Sequence, residues 1–381
     1  MTEFITPNKD VTQMIIDAGG KDLLTCYQCG TCTGSCPWGL VGHLGVRNMI
    51  HLASLGLEGF ESEDIWKCTT CATCVSRCPR EVEIIDIIRS VRGQLAEMNL
   101  IPPPLRTALS SITANGNPWL GDRKDRTGWI KDVDVKHISE AGTSTLYFTC
   151  CTPAYDPKTR SVARAMVRVL QSAGINFGIL GSEASCCGDA VHRFGNPTEY
   201  EALAKSNAAL FRKYGVREII TTSPHCYNIF TKYYQGLDGI TVKHYTEVIA
   251  EALADKRLEL KTPFEATVTY HDPCYMGRHN EIYDSPRSIL KAVPGLTFTE
   301  MSRIRQDALC CGGGGGGAWM ETKPGERFSE LRVGEAAETG AGVVATSCPF
   351  CILMLVDATK TTNRDESMKI MDVAEIVAAA L

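Results

Sequence analysis

The sequence predicts a chain of mixed α+β and α/β class, in which a helical N-terminal domain precedes two duplicated α/β modules. Three observations lead to this prediction. Eight of the 18 cysteines fall in two clusters within residues 1–100, and the stretch between the clusters is helix-forming. From about residue 145, short β-rich segments alternate with segments that have the helical spacing of apolar residues. The cysteines of this second region recur at a nearly constant offset, which indicates an internal repeat.

Length and composition limit the class of protein. A chain of 381 residues can bury a large core without a cysteine scaffold, yet it contains 18 cysteines. The stretch MTEFITPNKD lacks the features of a signal peptide, and no apolar run approaches the ~18 residues that a membrane span needs. We therefore expect a cytoplasmic protein whose cysteines serve metal or redox chemistry rather than disulfides. The net charge of -5 argues against nucleic acid as a partner.

The two N-terminal cysteine clusters share one motif, C-x2-C-x2-C-x3-C-P. It occurs in CYQCGTCTGSCP (residues 26–37) and in CTTCATCVSRCP (residues 68–79). This is the bacterial ferredoxin pattern for 4Fe–4S clusters, in which three cysteines wrap one cube and the fourth ligates the other cluster. The pattern assigns four cysteines to each cluster: Cys26, Cys29, Cys32 and Cys78 to the first, and Cys36, Cys68, Cys71 and Cys74 to the second.

Zinc is the main alternative for these cysteines. Zinc sites usually combine two separated CxxC pairs, or cysteine with histidine, and two complete four-cysteine runs do not fit that pattern. The intervening stretch GHLGVRNMIHLASLGLEG is helix-forming and is typical of a helical ferredoxin, in which helices replace the small sheet. The sequence therefore favours two 4Fe–4S clusters in residues 1–100 over a structural zinc site or a disulfide scaffold.

An internal duplication organises the rest of the chain. The cysteine after the first strand recurs after 123 residues (274 − 151) and the CC pair after 124 residues (310 − 186). The cysteine after the third strand recurs after 125 residues (351 − 226). The repeat predicts two Rossmann-like α/β modules, residues 145–260 and 261–381. A Pro- and Gly-rich stretch without cysteine, residues 101–144, is predicted to link them to the N-terminal domain.

Each module is predicted to alternate three strands with three helices, which implies βαβ units and a mostly parallel sheet. Predicted strands cover 144–149, 175–180 and 217–223 in the first module and 266–272, 296–301 and 342–347 in the second. Predicted helices cover 160–174, 199–215 and 244–254, then 286–295, 328–341 and 351–360.

The second module contains five cysteines, in HDPCYMGRHN, LCCGGGGGG and SCPFC, and each of these pieces follows a predicted strand. Ligands of open α/β sheets lie beyond the carboxyl ends of the strands, so we expect the five to converge on one metal site. They are Cys274, Cys310, Cys311, Cys348 and Cys351. Five thiolates are one more than a cubane needs, so either one is spare or the cluster is not a simple cube.

The first module contains a similar but altered set, in TCCTPAYD, SCCGD and TTSPHCYN. Ser223 stands where the second module has Cys348, although Cys150 is an extra cysteine beside Cys151. The candidate ligands here are Cys150, Cys151, Cys186, Cys187 and Cys226. Serine is a poor substitute for a thiolate on iron, so the cluster type of this module stays open.

Six consecutive glycines, residues 312–317, follow the second CC pair. They match the dinucleotide fingerprint only trivially, since that motif needs a strand running directly into the loop and a helix straight after it. We interpret the run as a loop whose backbone N–H groups approach the cluster sulfurs, with a merely flexible loop as the alternative.

The motifs HDPCYMGRHN, CCGGGG, SCPFC, SCCGD and TTSPHCYN resemble the cysteine-rich CCG domains of heterodisulfide reductase. With the two ferredoxin motifs in front, nearly the whole chain resembles the D-type subunit, in which a ferredoxin part and two CCG modules are fused. The resemblance implies that a full CCG set binds an unusual non-cubane 4Fe–4S cluster at which a disulfide can be reduced. Similar subunits also serve in quinone-linked membrane complexes, with electron-transferring flavoproteins, and in tungsten-type benzoyl-CoA reductases.

Several polar residues lie beside the candidate cysteines. His271 and Asp272 are the best candidates for a proton relay, because they adjoin the five-cysteine set. Three further residues there, Asp189, His225 and His279, are expected to hold loops by local hydrogen bonds. The basic run Arg123, Lys124 and Arg126 is either a solvated face or a docking surface for an acidic partner.

These observations predict an iron–sulfur electron-transfer subunit of a multi-subunit anaerobic oxidoreductase. No flavin, nicotinamide or haem site is evident, so the expected partner is a flavoprotein or a membrane cytochrome, which would place the chain peripherally at the inner membrane. Two alternatives stay open, a catalytic subunit that reduces a heterodisulfide at the second-module cysteines and a structural zinc-binding assembly protein.

Overall fold

The N-terminal region is built of helices. The structure is a computed structural model that describes residues 6–131 and 133–381, so half of the stretch tested for a signal peptide, residues 1–5, lies outside it. Residues 6–100 contain no strand. The helices of this region are α1 (Lys9–Asp17), α2 (Thr31–Ser35), α3 (Val46–Leu55), α4 (Thr73–Ser76) and α5 (Ile84–Glu97). Short 3-10 turns lie between them at Leu23–Thr25, Pro37–Leu40 and Glu63–Lys67.

Local sequence explains where these helices begin and end. The Asn8 side chain accepts hydrogen bonds from the backbone N–H groups of Asp10 and Val11 and so caps α1. Helix α3 ends at Gly56, whose φ of 61° is in the left-handed region. Helix α5 buries one apolar face, including Ile87 and Val91, against the N-terminal core.

The segment 101–144, predicted to be a linker, contains ordered elements that pack on the rest of the chain. Helix α6 (Pro103–Asn115) buries Leu105 and Ile112, and a 3-10 turn follows at Arg123–Thr127. An added Cβ on Gly316 would lie 3.0 Å from Leu105 Cδ2, so α6 lies directly against the glycine run of the second module. The segment therefore contributes to the interior as well as joining the domains.

The first module is a three-stranded parallel sheet in the order β1-β2-β3. Its strands are β1 (Thr145–Phe148), β2 (Glu218–Thr221) and β3 (Thr241–His244). Its helices are α7 (Cys151–Tyr155), α8 (Arg160–Ser172), α9 (Asp189–Arg193), α10 (Pro197–Lys213), α11 (Pro224–Lys232) and α12 (Tyr245–Ala254), with a 3-10 turn at Gly181–Glu183.

The strand predicted over 175–180 does not form. Only two isolated parallel bridges occur there, Leu146 with Gly178 and His137 with Ile179. The segment lies between β1 and the stretch around His137, and a Cβ on Gly178 would lie 2.5 Å from the Cα of Ile138. Gly178 pairs with β1 on one side and Ile179 pairs with His137 on the other, so neither side forms a continuous ladder of hydrogen bonds.

The second module is a four-stranded parallel sheet in the order β5-β4-β6-β7. Its strands are β4 (Ala266–Tyr270), β5 (Leu296–Thr299), β6 (Val343–Thr346) and β7 (Lys369–Asp372). Its helices are α13 (Asp284–Ala292), α14 (Phe328–Glu338), α15 (Pro349–Thr361) and α16 (Val373–Ala379), with 3-10 turns at Arg305–Asp307 and Gly314–Trp319. Strands β6 and β7 lie 125 and 128 residues (343 − 218 and 369 − 241) after β2 and β3, which agrees with the duplication.

The two modules pack through their helices and share one core. Helix α16 packs on α8 and α13 packs on α12, and the Tyr245 hydroxyl donates to Asp372 Oδ1 at 2.5 Å across the interface. In each module most of the cysteines follow directly after a strand, beyond the carboxyl end of the sheet. In the described part of the chain, no helix has both the length and the apolar character needed to cross a membrane.

Candidate metal centres

Cys36, the fourth cysteine of the first ferredoxin motif, lies at the second motif. Burial raises the pKa of Cys36 to about 12, and the neighbouring charges of Cys71 and Cys68 contribute to this shift. Cys36 therefore lies beside the second motif rather than its own. Tyr27 of the first motif lies near both Cys29 and Cys78. The second set of four, Cys36, Cys68, Cys71 and Cys74, lines one small cavity, and all eight cysteines of the two motifs are free thiols.

Both motifs have the same loop geometry. Gln28 and Thr70, at equivalent positions, have φ of 63° and 51°. Gly30 and Ala72, two residues later, have φ of 85° and 62°. Alternating left-handed residues turn the chain tightly, so successive thiols point to one side.

A threonine follows the second cysteine of each motif by two residues. The hydroxyl groups of Thr31 and Thr73 lie 3.3 Å from the Sγ atoms of Cys29 and Cys71, respectively. Each hydroxyl can donate to the thiolate that would bind iron. The sequence repeats this C-x-T pattern, which is the local signal from which the contact could have been predicted.

The five cysteines of the second module converge beyond β4 and β6. Cys351 Sγ lies 3.3 Å from Cys311 Sγ, and burial raises the pKa of Cys351 well above its ordinary value. Cys348 differs, because burial is outweighed there by hydrogen bonds with Cys351 and His225, which lower its pKa to about 5. Hydrogen bonding with Cys310, together with burial, raises the pKa of Cys274 well above its ordinary value. Five nearly fully buried thiols so close together form a donor set suited to iron.

The glycine run places backbone N–H groups at this site. Gly312 N–H donates to Cys310 Sγ at 3.3 Å and Gly313 N–H donates to Cys311 Sγ at 3.4 Å. Gly312 has φ of 89°, which L side chains rarely adopt. These contacts agree with the interpretation of the run as a loop whose N–H groups approach the site.

The same glycine run packs directly against the second ferredoxin motif. A Cβ on Gly315 would lie 2.2 Å from the carbonyl oxygen of Cys68, and a Cβ on Gly314 would lie 2.4 Å from that of Thr69. The buried Arg92 guanidinium donates to the carbonyl oxygens of Gly315 at 2.9 Å and Cys68 at 2.8 Å. The close approach requires glycine, and Arg92 holds the two segments together.

Side chains extend this contact from the ferredoxin motif to the second-module cysteines. The Cys310 thiol lies 3.6 Å from Thr69 Oγ1, and hydrogen bonding with Cys310 raises the pKa of Cys71 well above its ordinary value. Arg278, from the loop after Cys274, donates to the carbonyl oxygen of Cys71 at 2.6 Å. The second ferredoxin site and the second-module site are therefore immediate neighbours.

The first-module cysteines also converge. Cys150, Cys151, Cys186, Cys187 and Cys226 line a cavity of about 30 Å³ together with Ser223 and Arg193. Arg193 is 2% exposed, and both of its terminal nitrogens lack hydrogen-bond partners among the described residues. A buried guanidinium with free N–H groups beside five thiols suits a negatively charged iron–sulfur cluster.

Only one residue of the basic run, Arg126, is buried, whereas Arg123 and Lys124 are exposed. Arg126 is 2% exposed and donates to Cys151 Sγ at 3.5 Å and to the Thr149 carbonyl oxygen at 3.1 Å. Arg123 donates to Ser185 Oγ at 3.0 Å, and Lys124 pairs with a neighbouring carboxylate at 3.1 Å. The interpretation of the run as a docking surface or a solvated face is therefore wrong for Arg126, which turns inward to the first module, and it stays a prediction for the exposed Arg123 and Lys124.

His225 and Asp189 lie between the two modules. His225 Nδ1 lies 2.9 Å from Asp189 Oδ2, and its ring stacks on Tyr275 with centroids 3.9 Å apart. Burial opposes protonation, but the Asp189 carboxylate raises the pKa of His225 to about 10. The imidazole also contacts Cys348, so a first-module side chain reaches a second-module cysteine.

His271 and Asp272 do not pair with each other as a relay would require. Asp272 forms a buried two-pronged ion pair with Arg287, at 2.7 and 2.9 Å. His271 Nδ1 accepts from Arg332 Nε at 3.1 Å. Burial, assisted by the Arg332 charge, lowers the pKa of His271 to about 3. His279 holds a loop, since its Nε2 lies 2.8 Å from the Thr70 carbonyl oxygen.

Sequence comparisons agree with this architecture. A family model described as "4Fe-4S dicluster domain" matches residues 25–83. A model described as "Cysteine-rich domain", the CCG domain, matches twice, over residues 145–231 and 268–356. These matches show multiple iron–sulfur clusters and two CCG repeats in a mixed helical and parallel-sheet chain.

One relative decides the family. The chain is 32% identical over 333 residues to the D-type subunit of the "Dihydromethanophenazine:CoB--CoM heterodisulfide reductase" of Methanosarcina barkeri, over 85% of this chain and 80% of that protein. This chain belongs to the family of heterodisulfide reductase D-type subunits. The resemblance inferred from the sequence motifs is thereby confirmed.

Other relatives of this heterodisulfide reductase family member are longer. It is 35% identical over 330 residues to the "Probable iron-sulfur-binding oxidoreductase FadF" of Bacillus subtilis, over 84% of this chain and 47% of that protein. It is 33% identical over 427 residues to the "EtfAB:quinone oxidoreductase" of Syntrophomonas wolfei, over 96% of this chain and 60% of that protein. The chain thus spans about half to three fifths of the length of these two relatives.

Two functional contacts of this heterodisulfide reductase family member escaped the sequence analysis. Arg126 and Cys151 are 25 residues apart, and Arg126 lies outside both matched family models. His225 and Cys348 belong to different modules. No local pattern reveals such pairs, because the folding of distant segments brings them together.

Proposed function

We propose that this chain is an iron–sulfur electron-transfer subunit of a multi-subunit anaerobic oxidoreductase, with two Rossmann-like CCG modules behind a helical two-cluster ferredoxin domain. Its iron–sulfur oxidoreductase relatives support this role. The proposed ligands are four sets of thiolates. They are Cys26, Cys29, Cys32 and Cys78; Cys36, Cys68, Cys71 and Cys74; Cys274, Cys310, Cys311, Cys348 and Cys351; and, in the first module, Cys150, Cys151, Cys186, Cys187 and Cys226.

The contact between the second ferredoxin motif and the second CCG module carries this proposal. A bound iron–sulfur cluster supplies one-electron chemistry at thiolate-held iron. The chain's own residues bring two such sites together, because the Cys310 thiol lies 3.6 Å from Thr69 Oγ1 and Arg92 clamps the adjoining backbones. Side chains that bring two redox sites together in a dry interior suit a relay.

Cysteine burial increases from the first ferredoxin motif, through the second, to the second-module site. Cys29 is exposed, whereas Cys71 is 8% exposed and Cys310 is 1% exposed. His225 then links the second-module site, through Cys348, to the first module. We infer that electrons pass between a partner at the first ferredoxin site and the CCG modules.

The partner we propose is a flavoprotein or a membrane cytochrome. One relative is named "EtfAB:quinone oxidoreductase" and another "Probable membrane-anchored ferredoxin". The first name includes an electron-transferring partner and a quinone, and the second a membrane anchor, which supports a redox partner for this chain as well. A peripheral position at the inner membrane, through such a partner, is part of the same proposal.

Heterodisulfide reduction at the second module is the second candidate, and a cleft favours it. A cleft of about 360 Å³ reaches Cys311 and is lined by Trp38, Phe328, Met354 and Lys67 among others. It offers a small molecule access to the second-module site. Turnover of a thiol–thiol heterodisulfide with an artificial electron donor would favour this candidate over the relay.

Iron analysis with stepwise reduction tests the proposal. Anaerobically purified full-length protein is expected to contain more iron than the roughly eight atoms of two 4Fe–4S clusters. Electron paramagnetic resonance during a dithionite titration should resolve the ferredoxin signals and at least one signal of a different kind. Colourless, zinc-containing protein without such signals would contradict the proposal and favour the zinc-binding alternative.

A further inference from the structure

His271 is a buried histidine at the end of β4, next to the second-module cysteines. Its backbone N–H donates to the Ala345 carbonyl oxygen at 2.9 Å, which continues the pairing of β4 with β6. The Thr346 hydroxyl donates to its carbonyl oxygen at 3.3 Å. The backbone is thus fixed at both polar groups, and the residue is 0% exposed.

One ring nitrogen of His271 is engaged and the other is free. Arg332 Nε donates to Nδ1 at 3.1 Å, and the Nε2 atom is buried without a hydrogen-bond partner among the described residues. A guanidinium is always charged and only donates, so Nδ1 must present its lone pair. The ring proton therefore lies on Nε2.

Arg332 is itself held in place, so the imidazole orientation is fixed. Its Nη1 donates to Glu335 Oε2 at 2.6 Å and to the Arg303 carbonyl oxygen at 2.8 Å. Arginine cannot pass on a proton under ordinary conditions. The network locks one tautomer and offers no route for relaying a proton through Nδ1.

The free N–H group belongs to a ring that is close to two of the five thiols. A ring nitrogen of His271 and the Sγ atoms of Cys311 and Cys351 lie within 4.8 Å of one another. The equivalent position in the first module, 123 residues earlier (271 − 148), is Phe148, which has no donor. The second module therefore has an N–H donor at a point where the first has a phenyl ring.

We propose that His271 is a positioning residue whose Nε2–H donates a hydrogen bond to the sulfur shell of the second-module cluster and raises its reduction potential relative to a site without the donor. The proposal rests on the proposed function, since it needs a cluster at this site. A hydrogen bond to cluster sulfur stabilises the more negative, reduced form. The role is distinct from iron ligation, because Nε2 carries a proton instead of a free lone pair.

Potentiometry of full-length variants tests the proposal. In His271→Phe, the ratio of reduced to oxidised second-module cluster at a fixed potential should fall about tenfold, which equals 59 mV for one electron. His271→Gln, whose amide N–H can replace the donor, should stay close to the wild-type value. His244→Phe is the matched control, since His244 is equally buried and its Nδ1 pairs with Thr246 Oγ1 at 2.8 Å. In this variant the reduction potential of the second-module cluster should not change.

A spectroscopic readout separates a donor from a ligand. Electron–nuclear double resonance of the reduced wild-type protein in D2O should show an exchangeable proton coupling that is lost in His271→Phe. A strong nitrogen coupling from labelled histidine would show direct ligation and overturn the proposal. An unchanged potential in His271→Phe, or an equal fall in His271→Gln, would also overturn it. If His271→Phe loses iron, the proposal is tested by the reduction potential of His271→Gln and by the exchangeable proton coupling of the wild-type protein.

Iron analysis of the wild-type protein distinguishes the two possible failures. Wild-type protein without iron beyond the ferredoxin clusters would remove the proposed function itself. Wild-type protein with a reducible second-module cluster, but with no proton coupling and no response to His271→Phe, would leave the relay intact and refute only the donor role.

Discussion

The thiol of Cys310 lies 3.6 Å from the hydroxyl oxygen of Thr69, although the two residues are 241 positions apart. Cys310 belongs to the second CCG module, and Thr69 directly follows the first cysteine of the second ferredoxin motif. Both residues are buried. This contact joins the N-terminal domain to the second module, and the glycine run that permits it is open to a sharp test.

Gly315→Ala should separate the ferredoxin motif from the second module. The added Cβ would lie 2.2 Å from the Cys68 carbonyl oxygen, so the backbones must move apart. We expect slower electron transfer from the ferredoxin clusters to the second-module cluster, with iron content retained. Freeze-quench electron paramagnetic resonance after rapid reduction would measure this rate.

Gly340→Ala is the control for that variant. Gly315 and Gly340 have φ of 59° and 73°, so alanine at either position has a similar backbone cost of about 1–2 kcal/mol. Gly340 has no atom within 4 Å of an added Cβ. Equal transfer rates in the two variants would contradict the role of the glycine contact.

Arg126→Gln should lower the reduction potential of the first-module cluster. Arg126 donates to Cys151 Sγ at 3.5 Å, and no other arginine or lysine among the described residues donates to a cysteine sulfur. Loss of a buried positive charge disfavours the reduced, more negative form, so the ratio of reduced to oxidised cluster should fall at least about tenfold, or 59 mV. A redox titration followed by electron paramagnetic resonance checks this.

Arg123→Gln provides the comparison for Arg126. Arg123 comes from the same turn but donates to Ser185 Oγ instead of to a sulfur atom. In Arg123→Gln we expect the reduction potential of the first-module cluster to stay near the wild-type value. Arg126→Lys keeps the positive charge, so its first-module potential should stay closer to the wild-type value than that of Arg126→Gln. A first-module potential that is indifferent to all three changes would rule out electrostatic tuning by this turn.

The sequence predicted what short motifs encode. The alternation of β-rich and helical segments predicted β1, β2, β4, β5 and β6 and the long helices, because their apolar spacing is regular. It missed β3 and β7, since TVKH and KIMD each contain a lysine that interrupts the apolar pattern. The CCG and ferredoxin motifs were recognisable because their ligand spacing is strict.

The relations between domains could not be predicted from the sequence. The inward turn of Arg126, the Arg92 clamp and the contact of His225 with Cys348 join segments that are distant in the chain. In sequence, Arg123, Lys124 and Arg126 look like a solvated basic run, and only the packing of 101–144 on the first module reverses that interpretation for Arg126. Tertiary contacts of this kind have no local signal.

Tyr245→Phe should weaken the interface between the two modules. The Tyr245 hydroxyl donates to Asp372 Oδ1 at 2.5 Å, and both residues are 0% exposed. Removal of the donor leaves a buried carboxyl group with one partner fewer, which should lower the free energy of unfolding by about 1–3 kcal/mol. Urea unfolding of the reconstituted protein measures this. Tyr227→Phe, at a partly buried position, should change it little, and equal effects would show that the interface bond is unimportant.

His192 should make the protein less stable as the pH falls from about 7 to 5. Its Nε2 lies 3.2 Å from Arg89 Nη1 of helix α5, and burial together with the charges of Arg193 and Arg89 lowers its pKa to about 3. The unfolded chain has an ordinary histidine pKa of about 6.5 and therefore binds a proton first as the pH falls. Between about pH 7 and 5 this removes about 2 kcal/mol of the free energy of unfolding. Urea unfolding at several pH values, in wild type and His192→Gln, measures the slope, which should be shallower in the variant; identical slopes would exclude His192 as its source.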